Sequence, residues 1–185
     1  MIYFTSDLHF GHKNVINFDK RPFETTEEMD NFIINNWNKT VSNNDTVYIL
    51  GDISFHVNIE DIVNNIQQLK GNKILIKGNH DNEYYKKDIF KECFIDIKDY
   101  HEFKYNHKLF VLSHYPMLFY NHQHSNGIMC YGHVHNSIED EYIQYFKEYL
   151  KEKDIPCKMI NVGIMNNEYR PISIDDLIKK VEEKK

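Results

Sequence analysis

Between Thr46 and Lys77 two apolar, β-branched runs flank one amphipathic stretch, with connections of only a few residues. Thr46 to Leu50 reads as a strand. Asn58 caps a helix whose apolar positions Ile59, Ile62, Val63, Ile66 and Leu69 keep the helical period until Gly71, and Lys73 to Lys77 reads as the next strand. Strand, helix, strand with short joins is a right-handed crossover, which puts the two strands side by side and parallel. Any fold for this chain has to be built on that unit.

The flanks extend it. Ile2 to Ser6 is an apolar run that ends in the polar loop Asp7 to His12, and Thr25-x-x-Glu28 is a capping box that opens a helix with Met29, Phe32, Ile33 and Trp37 on one face. From Phe94 to Leu112 short β runs break near Asn106-His107, as in an antiparallel hairpin. Ile128 to Tyr131 and Lys158 to Val162 read as further strands. Glu139 to Lys153 reads as a charged helix and Ser173-x-x-Asp176 as the start of a last one through Val181, with Glu182 to Lys185 fraying. No repeat or linker interrupts the sequence, and 185 residues is close to one domain, so residues 1–185 are expected to form a single domain. The expected architecture is α/β: two packed sheets, a β-sandwich, flanked by helices in four layers.

Composition excludes several functions. A hydrophobic fraction of 41% rules out intrinsic disorder, and no apolar run approaches the roughly 18 residues of a membrane span. Asp7 and His9 interrupt the opening stretch too early for a signal peptide, so a cytoplasmic protein is expected. A formal net charge of −6 disfavours general binding to duplex nucleic acid. The three cysteines are odd in number and widely spaced, which fits reduced thiols, whereas the 11 histidines point to nitrogen and oxygen metal ligands.

Those metal-competent residues lie just past the ends of apolar runs: Asp7-Leu8-His9, Gly51-Asp52, Gly78-Asn79-His80-Asp81, Ser113-His114 and Gly132-His133-Val134-His135. Carboxyl ends of strands are where ligand sites assemble in open α/β sheets. Each piece is weak alone, but together and in this order they resemble the calcineurin-like metallophosphoesterase superfamily from about Phe4 to Gly163. Asp7 to His12 with Arg21-Pro22-Phe23 resembles a small single-domain bacterial and phage branch of it.

The resemblance implies a dinuclear centre at the strand ends. Asp7, His9 and His135 would hold one divalent ion, Asn79, His114 and His133 the other, and the Asp52 carboxylate would bridge them. Manganese, iron or zinc suits such donors. It further implies in-line attack on a phosphoester by a bridging hydroxide, with His80 as the proton donor to the leaving group and Asp81 orienting the His80 ring. The neutral Asn79 amide leaves the centre positive, which attracts a phosphate.

Gly51-Asp52 runs on as Ile53-Ser54-Phe55-His56 and not as Asp-Arg-Gly, a departure from the protein phosphatase branch that favours a small substrate, nucleotide-derived ones included. A phosphodiester is favoured over a monoester. Arg21, His12, His122, His124 and Tyr115 are candidate substrate contacts, with structural roles as the plain alternative for each. A homo-oligomer is compatible with the sequence, and the competing functional reading is a binding scaffold on the same fold with little or no catalysis.

Overall fold

A computed structural model describes residues 1–56 and 58–183. Part of the expected frayed end, Lys184 and Lys185, lies outside the described residues. Strands β1 (Ile2–Thr5), β2 (Thr46–Ile49), β3 (Asn72–Ile76) and β4 (Asp96–Lys98) pair in parallel in the order β4-β3-β2-β1, and the two-residue β9 (Ile172–Ser173) adds antiparallel to β1. The second sheet has the order β5-β6-β7-β8, formed by His101–Tyr105, Lys108–Leu112, Gly127–Tyr131 and Met159–Asn161. β5 and β6 form the expected hairpin, turning through Asn106 and His107 at φ +46° and +62°. β4, which the sequence pattern grouped with that hairpin, is instead the parallel edge of the first sheet.

Period-two alternation divides the apolar side chains among three cores. Val47 and Ile49 of β2 face outward onto α2 (Thr26–Thr40) and α3 (Ile59–Gln67), while Tyr48 and Leu50 face the second sheet. Phe110 and Leu112 of β6 answer them across the sandwich. Leu109 and Val111 point the other way, onto α5 (Ile138–Glu152). The order is helix, sheet, sheet, helix, the expected four layers. Within the central layer Phe4, Phe103 and Phe110 stack at centroid separations of 5.2–6.3 Å. Truncating the fully buried Phe110 to alanine is expected to cost about 3–5 kcal/mol.

The caps follow the sequence. Thr25 Oγ1 accepts the Glu28 N–H at 3.1 Å and Asn58 Oδ1 that of Glu60 at 3.0 Å. Ser137 and Ser173 cap α5 and the last helix, α6 (Ile174–Glu182), whose Ile174 and Leu177 close the space between the sheets. Two short helices lack a sequence signal: α1 (Lys13–Phe18) and α4 (Asp88–Lys91) have no side-chain cap. Phe32, expected on the buried face of α2, is half exposed and packs tilted against Phe23 and edge-on against Tyr169. Among the described residues no helix is long and apolar enough to cross a membrane.

Candidate metal centre

Within each sheet the strands that matter run parallel, so their carboxyl ends share one rim. Asp7 lies two residues past β1, Asp52 and Asn79 three past β2 and β3, and His114 and His133 two past β6 and β7. The two rims meet there. The His133 N–H donates to both Asp7 carboxylate oxygens at 3.1 Å, and Ser6 forms an isolated bridge to Gly163.

The backbone is bent hard to bring the side chains in. Asp7, His9, Asp52, His133 and His135 all have φ between +48° and +70°, a left-handed conformation that costs a residue other than glycine about 1–3 kcal/mol. Such strain persists only where the surroundings enforce it. Here the loops after β2 and β3 touch backbone to backbone: a Cβ on Gly51 would stand 2.5 Å from Gly78 Cα, and one on Gly78 would stand 2.2 Å from Asp52 Oδ1.

Two donor groups result. Asp7, His9 and His135 bring ligand atoms within 4.8 Å of one another, and so do Asp52, His114 and His133. His9 Nε2 lies 3.1 Å from His135 Nε2, which is 3.7 Å from Asp7 Oδ1. Asp52 faces both groups: Oδ2 is 3.8 Å from His9 Nε2 and Oδ1 is 3.6 Å from His114 Nε2. Asn79 Oδ1 joins the second group, 3.0 Å from His114 Nε2. Separations of 3.6–3.8 Å are too long for hydrogen bonds but suit donors sharing an ion at bond lengths of about 2.0–2.2 Å.

The electrostatics also fit a cation. Burial, with Asp7 and Asp81 nearby, pushes the Asp52 carboxyl up to about 6 against the lowering effect of His114 and the His80 N–H. Burial, then the neighbouring His135 and Arg21, holds His9 well below the usual imidazole range, and burial followed by His114 lowers His133. These rings are neutral and keep a lone pair for a ligand bond. Burial also opposes a charge on His135, but its hydrogen bond to Asp19 and the field of Asp7 raise it overall. Crowded buried carboxylates beside the His9 and His133 rings are an arrangement that a divalent ion relieves.

Second contacts aim the rings. His114 Nδ1 donates to the Leu50 carbonyl at 2.7 Å, and His135 Nδ1 meets Asp19 Oδ2 at 2.7 Å. Asp19 was invisible to sequence reasoning: its partner is 116 residues away and its only local cue is the nearby Arg21.

Several expectations need correction. Asp81 does not orient His80. Its fully buried carboxylate accepts the N–H groups of Gly78 at 2.8 Å, Asp52 at 3.0 Å and Ile53 at 3.1 Å, so it ties the β2 and β3 loops together, with burial raising its pKa. His80 turns instead toward Asp52: its N–H donates to Oδ1 at 3.0 Å and its Nε2 lies 3.9 Å from Oδ2. Arg21 is not open to substrate. It is buried, donating to the carbonyls of Leu8 and Asp7 at 2.9 Å each and to Asp19 at 3.1 Å.

His122 and His124 are also remote. Parallel β6 and β7 require their connection to return along the sheet, so the His122 carbonyl accepts the Gly127 N–H at the start of β7, the end opposite His114. His12 stands next to His9, Nδ1 to Nδ1 at 3.3 Å. Tyr115 is at the rim, its ring centroid 4.4 Å from that of His133. A groove of about 980 Å³ opens elsewhere, between α5, β8 and α6, and shares no residue with the donor groups.

Comparison with known proteins gives a consistent picture. The profile described as calcineurin-like phosphoesterase matches residues 1–175. The uncharacterized protein MJ1445 of Methanocaldococcus jannaschii is 35% identical over 185 residues, covering 100% of this chain and 93% of that one. The gene 66 protein of Mycobacterium phage L5 is 41% identical over 81 residues, 43% of this chain and 39% of its own. Among solved structures, the protein of unknown function AQ665 from Aquifex aeolicus superposes with a TM-score of 0.67 at 27% identity, covering 97% and 98% of the two chains.

Proposed function

Because the chain belongs to the calcineurin-like phosphoesterase family, we propose that it is a dinuclear, metal-dependent hydrolase of small phosphodiesters. The observation that carries this reading is Asp52, a buried carboxylate with one oxygen toward each donor group. Asp7, His9 and His135 would hold one ion and Asn79, His114 and His133 the other, with Asp52 shared. When bound, the ions supply a water activated near neutral pH and positive charge for the phosphoryl oxygens. Manganese, iron and zinc all accept carboxylate, imidazole and amide donors.

The chain supplies position and protons. Asp19 and the Leu50 carbonyl hold His135 and His114 in one orientation, and Arg21 and Asp81 clamp the loops that carry Asp7 and Asp52. His80, partly open to solvent beside Asp52, stands where it can give a proton to the leaving oxygen. This reading favours a diester over a monoester, and turnover of bis-p-nitrophenyl phosphate against p-nitrophenyl phosphate decides between them.

The test is hydrolysis of bis-p-nitrophenyl phosphate by metal-stripped protein titrated with manganese, together with elemental analysis. Turnover that appears near two ions per chain and disappears in His114→Ala supports the reading. Metal binding without turnover of any phosphoester overturns it in favour of a binding scaffold.

A further inference from the structure

Three large rings stand open around the donor groups. Phe18 is 58% exposed, Phe55 44% and Tyr115 49%, whereas Phe4, Phe10, Phe90 and Phe110 are fully buried. Each touches the centre. Phe18 lies 5.6 Å from His135 and Phe55 4.9 Å from His80 by ring centroid, both edge-on. Tyr115 lies against His133 and His114 on the other side, at 4.4 and 5.1 Å. Aromatic rings exposed beside polar donors present faces that a planar ligand can cover.

Phe55 is also held in place. Its N–H donates to the Phe10 carbonyl at 2.8 Å, the adjacent Ser54 is fully buried, and the His12 ring lies parallel beneath it at 4.1 Å. A ring fixed in advance stacks on a planar ligand without first losing rotamer freedom. That explains His12 as well: it links His9 to Phe55.

We infer that Phe55, with Phe18 beside it and Tyr115 across the centre, is a stacking platform for nucleobases, so that the substrate is a short nucleotidyl diester such as a dinucleotide. This rests on the phosphodiesterase reading above and names its substrate class. A dinucleotide places one planar base on either side of its phosphate, which matches rings on both sides of one donor cluster. The base on the leaving side would lie over Phe55, next to His80. Charge favours a short substrate: at a net −6, with Arg21 buried, general attraction for a long polyanion is weak.

The experiment compares the dinucleoside monophosphate ApA with glycerophosphocholine, a diester without rings, using manganese-loaded protein, and measures AMP against glycerol 3-phosphate binding by calorimetry. The expected result is a kcat/KM preference for ApA that falls about 10-fold or more in Phe55→Ala and is kept in Phe55→Trp, with AMP affinity moving in step. Equal turnover of the two diesters by the wild type, or an equal loss on both in Phe55→Ala, overturns the platform while leaving the hydrolase reading intact. AMP binding that depends on Phe55 with no diester hydrolysed keeps the platform and overturns the hydrolase.

Discussion

In the group of Asp7, His9 and His135 the rings are braced by ionisable side chains, whereas in the group of Asp52, His114 and His133 the rings lean on neutral partners. In the first group Asp19 holds His135, Arg21 holds Asp19 and the Asp7 carbonyl, and His12 backs His9. In the second, His114 leans on a backbone carbonyl, Asn79 is an amide, and the His133 ring makes no hydrogen bond among the described residues, only aromatic contacts with His114 and Tyr115. The residue types are alike and their backing is not. An imidazole backed by a carboxylate is a stronger base and a better ligand. The first group is therefore expected to keep its ion, and the second to exchange it and meet the substrate.

The comparison can be tested from its centre outward. His80 stands where the groups meet, and His80→Ala is expected to lower kcat about 10²–10⁴-fold on diesters with alkyl leaving groups, far less on p-nitrophenyl esters, at unchanged metal content. If metal leaves with the activity, His80 is a ligand. Asp52→Asn removes the charge both groups share and is expected to cost about 3–5 kcal/mol, roughly 10²–10⁴-fold in metal affinity, at both ions. Unchanged metal content and turnover in that variant would sink the bridging assignment.

Asp19→Asn should separate the two groups. A titration of the stripped protein should show one binding step weakened about 10–100-fold and the other unmoved. Equal weakening of both steps erases the asymmetry. Arg21→Met is expected to act mainly on stability, at about 3 kcal/mol, because it strands a buried carboxylate and two carbonyls. For a chain of this size that is a melting temperature lower by roughly 6–12 °C.

What was legible in the sequence follows from range. Strands, caps and the hairpin turn depend on neighbours within a few residues, so Asn58, Thr25 and Asn106-His107 announced themselves. The donors were legible because each follows an apolar run directly, and the topology of parallel strands does the rest. Where adjacency was used for more than that, it misled. Asp81 follows His80 in the chain, yet consecutive side chains diverge, and its carboxylate turned inward to three N–H groups. His122 follows His114 by eight residues, which is enough for the connection to run the length of the sheet. Asp19 and Phe55 gain their meaning from partners that only the fold brings near, and no local pattern marks them.

The contact between the His133 N–H and Asp7 joins loops from different sheets. Elsewhere the two sheets meet through aromatic and aliphatic faces, which resist separation but permit sliding. The donor rim is thus the rivet of the sandwich. An ion seated among Asp7, His9 and His135 would add a cross-link between layers that the chain itself joins through Asp99-Tyr100, between β4 and β5, and through the stretch from β8 to β9, so cofactor supply would add to the rigidity of the protein as well as set its chemistry. At a thousandfold excess over its dissociation constant such a rivet adds about 4 kcal/mol to folding, and a cell short of metal would hold a looser protein, more open to proteolysis, and not simply an idle one.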